Sequence, residues 1–198
     1  MKYLDEFRDG ALARHLARVI ADTVREDRCY RLMEFCGGHT HAICRYGLSD
    51  LLPLQVQMVH GPGCPVCVLP IGRIDQSIRL ASERKVTLCT YGDCLRVPGS
   101  DGLSLLKAKA QGADVRMVYS VTDAINLARQ NPERQIVFLA IGFETTTPAT
   151  AVAIAQAQAL GLKNFSVLCN HVLTPPAMEA IVVNPVGLQI DGFIGPAH

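Results

Sequence analysis

The sequence has no tryptophan, and phenylalanine and tyrosine bring the aromatic share to only 6%. That leaves too few flat rings for a base-stacking platform. An excess of positive charge is missing as well. The 19 Lys and Arg nearly cancel the 18 Asp and Glu, for a net charge of +1 with the signs interspersed. No basic stripe of the kind that tracks a phosphate backbone results. No apolar run approaches the ~20 residues of a membrane span. Asp5, Glu6 and Asp9 interrupt the early segment, so no secretory signal is read and the expected location is cytoplasmic. A second C-x-x-C is absent, which removes the usual four-cysteine zinc framework. No Ser-His-acid order points to hydrolysis.

What is present is a core-rich chain of 198 residues, 49% hydrophobic and 19% charged, enough for one large domain or two small ones. It also carries eight cysteines. Without a signal segment these read as reduced thiols, and a C-x-x-C in that setting is metal-binding or redox-active more often than a structural staple.

Periodicity predicts the elements. Leu12, Leu16, Val19, Ile20 and Val24 form one face of a helix over 10–26. Short strands are expected at 30–35, 54–59, 86–91, 115–119, 136–141, 165–168 and 190–194. Helices are expected at 42–48, 71–84, 103–110 and 121–129, then an Ala-rich helix ending before Gly161 and another through Ile181. Alternation of strand and helix predicts α/β architecture: two doubly wound, mainly parallel-sheet units, the second incomplete, preceded by an N-terminal helix. The expected segments are 1–48 (helix and Cys-Gly-Gly-His motif), 49–133 (first α/β unit) and 134–198 (partial second unit). The last boundary is placed at Asn131-Pro132-Glu133.

The stretch His60-Gly61-Pro62-Gly63-Cys64-Pro65-Val66-Cys67 stands out. Two thiols three positions apart follow an apolar run and can close as a disulfide, hold a metal or tune a thiolate. Earlier, Cys36-Gly37-Gly38-His39-Thr40-His41 follows another strand. A helix starting nearby would favour a thiolate at Cys36. In open α/β sheets ligands bind beyond the carboxyl ends of the strands. Unusual polar residues follow nearly every strand here: Cys36, Cys64 with Cys67, Asp93, Glu144, His171 and His198.

Each has a plainer reading. His15 and His60 read as surface or loop residues. Glu144 with Thr145 to Thr147 reads equally as a cap of the Ala-rich helix, and Asp93 with Arg96 as a local ion pair. Cys29, Cys44, Cys89, Cys94 and Cys169 read as ordinary packing or surface thiols, with Cys169 kept as an outside candidate because it ends a strand beside His171. Soft thiolates with imidazoles nearby suit iron or zinc better than magnesium or calcium.

Five stretches together resemble the hydrogenase maturation protein HypD family. They are 36–41, 61–67, Tyr91-Gly92-Asp93 with Arg96-Val97-Pro98-Gly99, Gly142-Phe143-Glu144-Thr145-Thr146, and Gly192-Phe193-Ile194-Gly195-Pro196-Ala197-His198. The chain resembles a C-terminally truncated member. The resemblance implies a scaffold for [NiFe]-hydrogenase assembly rather than a standalone enzyme. It would hold iron for the Fe(CN)2CO moiety with Cys36, supported by His39 and His41, and use Cys64 and Cys67 as a redox dithiol that also serves as a metal-ligand candidate. Asp93, Glu144 and His198 fall in the family's motifs and are expected near the cofactor. A HypC-like small chaperone and a HypE-like cyanide donor are the implied partners, without nucleic acid or membrane. The family's [4Fe-4S] cluster is implied too, with its usual C-terminal ligands absent from this sequence. The alternative, resting on Cys64 and Cys67 alone, is a general thiol–disulfide oxidoreductase.

Overall fold

A computed structural model describes residues 8–84, 86–184 and 186–195. In chain order its elements are α1 (Gly10–Thr23), β1 (Tyr30–Glu34), α2 (Gly37–Tyr46), α3 (Leu48–Leu51), β2 (Val56–His60), α4 (Pro65–Val68), α5 (Ile71–Glu83), β3 (Thr87–Thr90), a 3-10 turn (Asp93–Arg96), α6 (Leu105–Ala110), β4 (Val115–Met117), α7 (Val121–Gln130), β5 (Ile136–Gly142), α8 (Thr147–Ala159), β6 (Phe165–His171), α9 (Thr174–Val182) and β7 (Gly192–Ile194). The expected α/β class with an N-terminal helix holds, with two parallel sheets of three and four strands. Among the described residues no helix is long and apolar enough to cross a membrane.

The chain divides into two compact units, one running to Cys64 and resuming at Met178, the other Pro65–Ala177. This differs from the boundary expected at 131–135. Asn131-Pro132-Glu133 is an ordinary connection from α7 into β5, and β5 pairs with β3 in one sheet. The turn signal was real, but it separates two elements of the same unit.

In the first unit β1 is the central strand of the order β2-β1-β7. Met33, Phe35 and Ile43 are buried, and Phe35 meets Phe193 edge-on at 5.4 Å between ring centroids. α1 starts on an Asp9 cap that accepts from the Ala11 and Leu12 amides. It buries none of its residues fully, so Leu12, Leu16, Val19 and Ile20 stay exposed.

The second unit has the strand order β4-β3-β5-β6. β5 is buried along its whole length because both faces are covered. Its Val137, Leu139 and Ile141 join a cluster with Ile74, Ile78 and Ala81 of α5 and with Leu105 and Ala108 of α6. Its Ile136, Phe138 and Ala140 join Ala124, Ile125 and Ala128 of α7 and Ala153 of α8. This two-sided alternation follows from the period of two along a strand. Ser120 and Asp123 close a capping box at the start of α7.

Candidate functional site

Glu34 ends β1, and in the parallel β1–β2 register it lies directly opposite His60, the last residue of β2. Paired residues in neighbouring strands share a face, so the two side chains meet: His60 Nδ1 is 2.7 Å from Glu34 Oε1. The Glu34 side chain is only 1% exposed. A buried carboxylate needs compensating donors, and three reach it. The Cys36 amide donates to Oε2 at 2.8 Å, the Thr40 hydroxyl donates to Oε1, and His60 contributes the third contact. Burial alone would favour the neutral acid. The hydrogen bonds from Thr40, the Cys36 amide and His60 outweigh it, and the net shift holds the carboxyl below its ordinary range.

The two thiol-bearing loops are interlocked through their backbones. The Gly61 amide donates to the Glu34 carbonyl at 2.8 Å, and the Gly37 amide to the Gly63 carbonyl at 3.3 Å. A Cβ on Gly63 would stand 2.3 Å from the Cys36 nitrogen and 2.6 Å from its Cα. A Cβ on Gly61 would stand 2.8 Å from the Glu34 carbonyl oxygen. Glycine is required at both positions by close approach rather than by backbone angles.

Directly after Cys36 the chain enters α2, five residues earlier than the sequence predicts. Cys36 is the N-cap, in extended conformation. Its half-buried side chain makes no capping hydrogen bond, and its Sγ lies 3.4 Å from the Cβ position of Gly38 in the first turn. Gly47, at φ +60, ends α2 in the left-handed conformation.

Of the sequence-predicted residues, Cys36, His39 and Cys64 belong to the first unit. Cys64 is half-buried there. His39 is 31% exposed at its side chain, yet its Nδ1 is buried without a hydrogen-bond partner among the described residues, 4.0 Å from Glu34 Oε2. His41 is on α2 and exposed. Cys67 is exposed in α4, at the beginning of the second unit.

Asp93 and Glu144 belong to the second unit. Asp93 Oδ1 accepts from the Cys94 amide at 3.0 Å. Among the described residues no ion pair joins it to Arg96. Glu144 does not cap α8, whose N-cap is Thr146. It receives the amide and hydroxyl of Thr174, the hydroxyl at 2.8 Å, and so braces the start of α9. Burial raises the Glu144 pKa, but hydrogen bonding, from its own amide first, brings the net shift below the ordinary value. His171 lies inside β6 and not after it. It spans two threonines, with Nδ1 3.3 Å from Thr146 Oγ1 and Nε2 3.1 Å from Thr150 Oγ1. Burial first, only partly opposed by the backbone near Gly142, holds its pKa below the ordinary histidine value. His198 lies outside the described residues.

Sequence reasoning missed Glu34; His60 is exposed at the surface as expected, but the sequence did not show that it ends β2 with its ring held by Glu34. The signal was an acid inside an otherwise apolar strand end, two residues before the motif cysteine.

The remaining thiols behave as expected. Cys89 is fully buried in β3, and burial pushes its thiol up to about 12. Cys94 is buried in the cluster beneath α5 and α6. Cys29, Cys44 and Cys169 are exposed. Among the described residues no group of three or more His, Cys, Asp and Glu is gathered to hold a metal ion.

This arrangement belongs to a known lineage. Residues 11–198 match the HypD family, described as the hydrogenase formation hypA family. The chain is 66% identical to the hydrogenase maturation factor HypD of Azotobacter vinelandii over all of its length and 53% of that protein. It is 63% identical to the HypD of Rhizobium leguminosarum bv. viciae, again over all of this chain and 53% of that one. It is 47% identical to the HypD of Escherichia coli K12, covering 54% of that protein. The chain thus spans about half the length of the curated relatives it matches. With the match running from α1 to the last residue, the chain belongs to the HypD family of hydrogenase maturation factors.

Proposed function

We propose that this chain acts in hydrogenase maturation as an assembly scaffold, holding iron while the Fe(CN)2CO moiety is built. The iron is cargo, and Cys36 is its thiolate donor. The observation that carries the reading is the interlock of the two thiol loops, with Gly63 pressed on the Cys36 backbone. Thiolate sulfur suits iron of soft character. Cyanide and carbonyl fill part of its coordination sphere, so few protein donors are needed. An anionic sulfur at the N-cap of α2 meets the positive end of the helix.

Cys64 and Cys67 form the dithiol of this reading. Closing them to a disulfide releases two electrons and two protons; the bond by which a partner of the HypE kind carries cyanide takes up the electron pair and breaks, and the released cyanide and the carrier group each take a proton. A small HypC-like chaperone completes the iron site. His39 supports the Cys36 loop. His41, Asp93, Glu144 and His198 keep the cofactor-binding role that the family motifs imply.

A [4Fe-4S] cluster does not fit the described residues, because four cysteine thiolates are not gathered anywhere among them. No step is assigned to it. Iron analysis of the anaerobically copurified chain and small partner tests the proposal. Iron that copurifies with wild type should fall to background in Cys36→Ala and persist in Cys44→Ala. Equal iron in all three overturns the assignment.

A further inference from the structure

We propose that Glu34 is a positioning residue for the Cys36 loop. Its single buried carboxylate fixes the Cys36 main chain, the Thr40 hydroxyl and the ring of His60, and so decides which nitrogen of His60 carries the proton. The purpose of this arrangement rests on the reading of Cys36 as the iron donor; the arrangement itself does not.

The argument starts from donor and acceptor arithmetic. An ionised carboxylate only accepts hydrogen bonds. Glu34 Oε1 lies 2.7 Å from His60 Nδ1 and also receives the Thr40 hydroxyl, while Oε2 receives the Cys36 amide at 2.8 Å. Neutral His60 must therefore carry its proton on Nδ1 and leave Nε2 as a bare lone pair. A carboxylate that orients an imidazole in this way is the arrangement that presents the far nitrogen to a proton or a metal ion. Thr40 links the same carboxylate to the first turn of α2, and the Gly61 amide ties β2 back to the Glu34 carbonyl. Side chain and main chain of one residue thus hold both motif loops.

Replacing the carboxylate by an amide of the same shape gives a sharp outcome. In Glu34→Gln the carbonyl oxygen can keep the Cys36 amide, which needs an acceptor. The NH2 group then faces Thr40 and His60. Thr40 rotates to accept, but His60 Nδ1 can accept only after its proton moves to Nε2. A residue that merely fills space would leave the tautomer alone.

The experiment is side-chain 15N–1H NMR of the metal-free, reduced full chain at about pH 8.5, above the ordinary imidazole range. The His60 signals are assigned with a His60→Gln variant. Wild type should show the Nδ1–H tautomer and Glu34→Gln the Nε2–H tautomer. Amide exchange at Cys36 should accelerate by about tenfold or more in Glu34→Ala and stay near wild type in Glu34→Gln. An Nε2–H tautomer in wild type, or the same tautomer in both proteins, overturns the proposal. If Glu34→Ala does not fold, the wild-type and Glu34→Gln spectra still decide. Because no iron is present, failure here is separable from failure of the iron assignment, which the Cys36→Ala iron content reads.

Discussion

Glu34 and His60 are 26 residues apart in sequence and 2.7 Å apart in space, joined because they occupy opposed positions of two parallel strands. That contact, with the glycine-to-backbone contacts beside it, makes one structure of two motifs that the sequence presents separately.

The glycine contacts predict an asymmetric response to alanine. Gly63→Ala places a methyl group against the Cys36 backbone and should destabilise the first unit by roughly 2–3 kcal/mol, the range for overpacking a site that cannot relax. Gly72→Ala, on α5 with nothing within 4 Å of its Cβ position, should be neutral or stabilising by up to about 1 kcal/mol. Denaturant unfolding of the two variants checks this. Similar losses from both would contradict the interlock.

Most of the fold was legible because its strands are apolar runs bounded by turns, the pattern that buried parallel strands produce. The start of α2 was not, since Gly37 and Gly38 are poor helix formers; the tertiary bond from the Gly37 amide to the Gly63 carbonyl compensates. The return of β7 to β1 was also hidden, because strand order depends on contacts between distant residues. The same reason concealed the pairing of Glu34 with His60: the acid at an apolar strand end is visible in the sequence, but its partner is not until the β1–β2 register is known. Cys36 and Cys64 were legible because thiol, glycine and proline cluster locally.

Thiol labelling should divide the cysteines by burial. At neutral pH Cys29, Cys44 and Cys169 are exposed and should react with iodoacetamide in the folded chain. Cys89, with its thiol pushed up to about 12, should react only on unfolding. Peptide-resolved mass spectrometry reads both classes. Rapid labelling of Cys89 in the folded chain would contradict the second unit's packing.

Asp114 gives the second unit an acid limit. Its carboxylate meets the Arg116 side chain at 2.9 Å, the Thr87 hydroxyl at 2.6 Å and Arg134 at 3.1 Å, tying together the starts of β3, β4 and β5. Burial raises its pKa, but these partners prevail and the net shift is downward. The unfolded chain therefore takes up this proton first as pH falls. The stabilisation is complete above the ordinary carboxylate pKa of ~4 and is lost as pH drops through the lower folded value. Asp114→Asn should cost about 1 kcal/mol at neutral pH and flatten this acid limb. An unchanged pH dependence of stability in the variant would contradict the assignment.

A general oxidoreductase would reduce insulin with a rate that depends on Cys64 and Cys67 but not on Cys36. The scaffold reading expects no insulin reduction above that of a Cys64→Ser, Cys67→Ser control. Turnover well above that control would favour the oxidoreductase.

Infrared spectroscopy of the complex with the small partner tests the role of Cys36 most directly. Wild type should carry the stretching bands of iron-bound cyanide and carbon monoxide. In Cys36→Ala, with partner binding retained, those bands should vanish. Bands of unchanged position and intensity in that variant would mean that another group holds the iron.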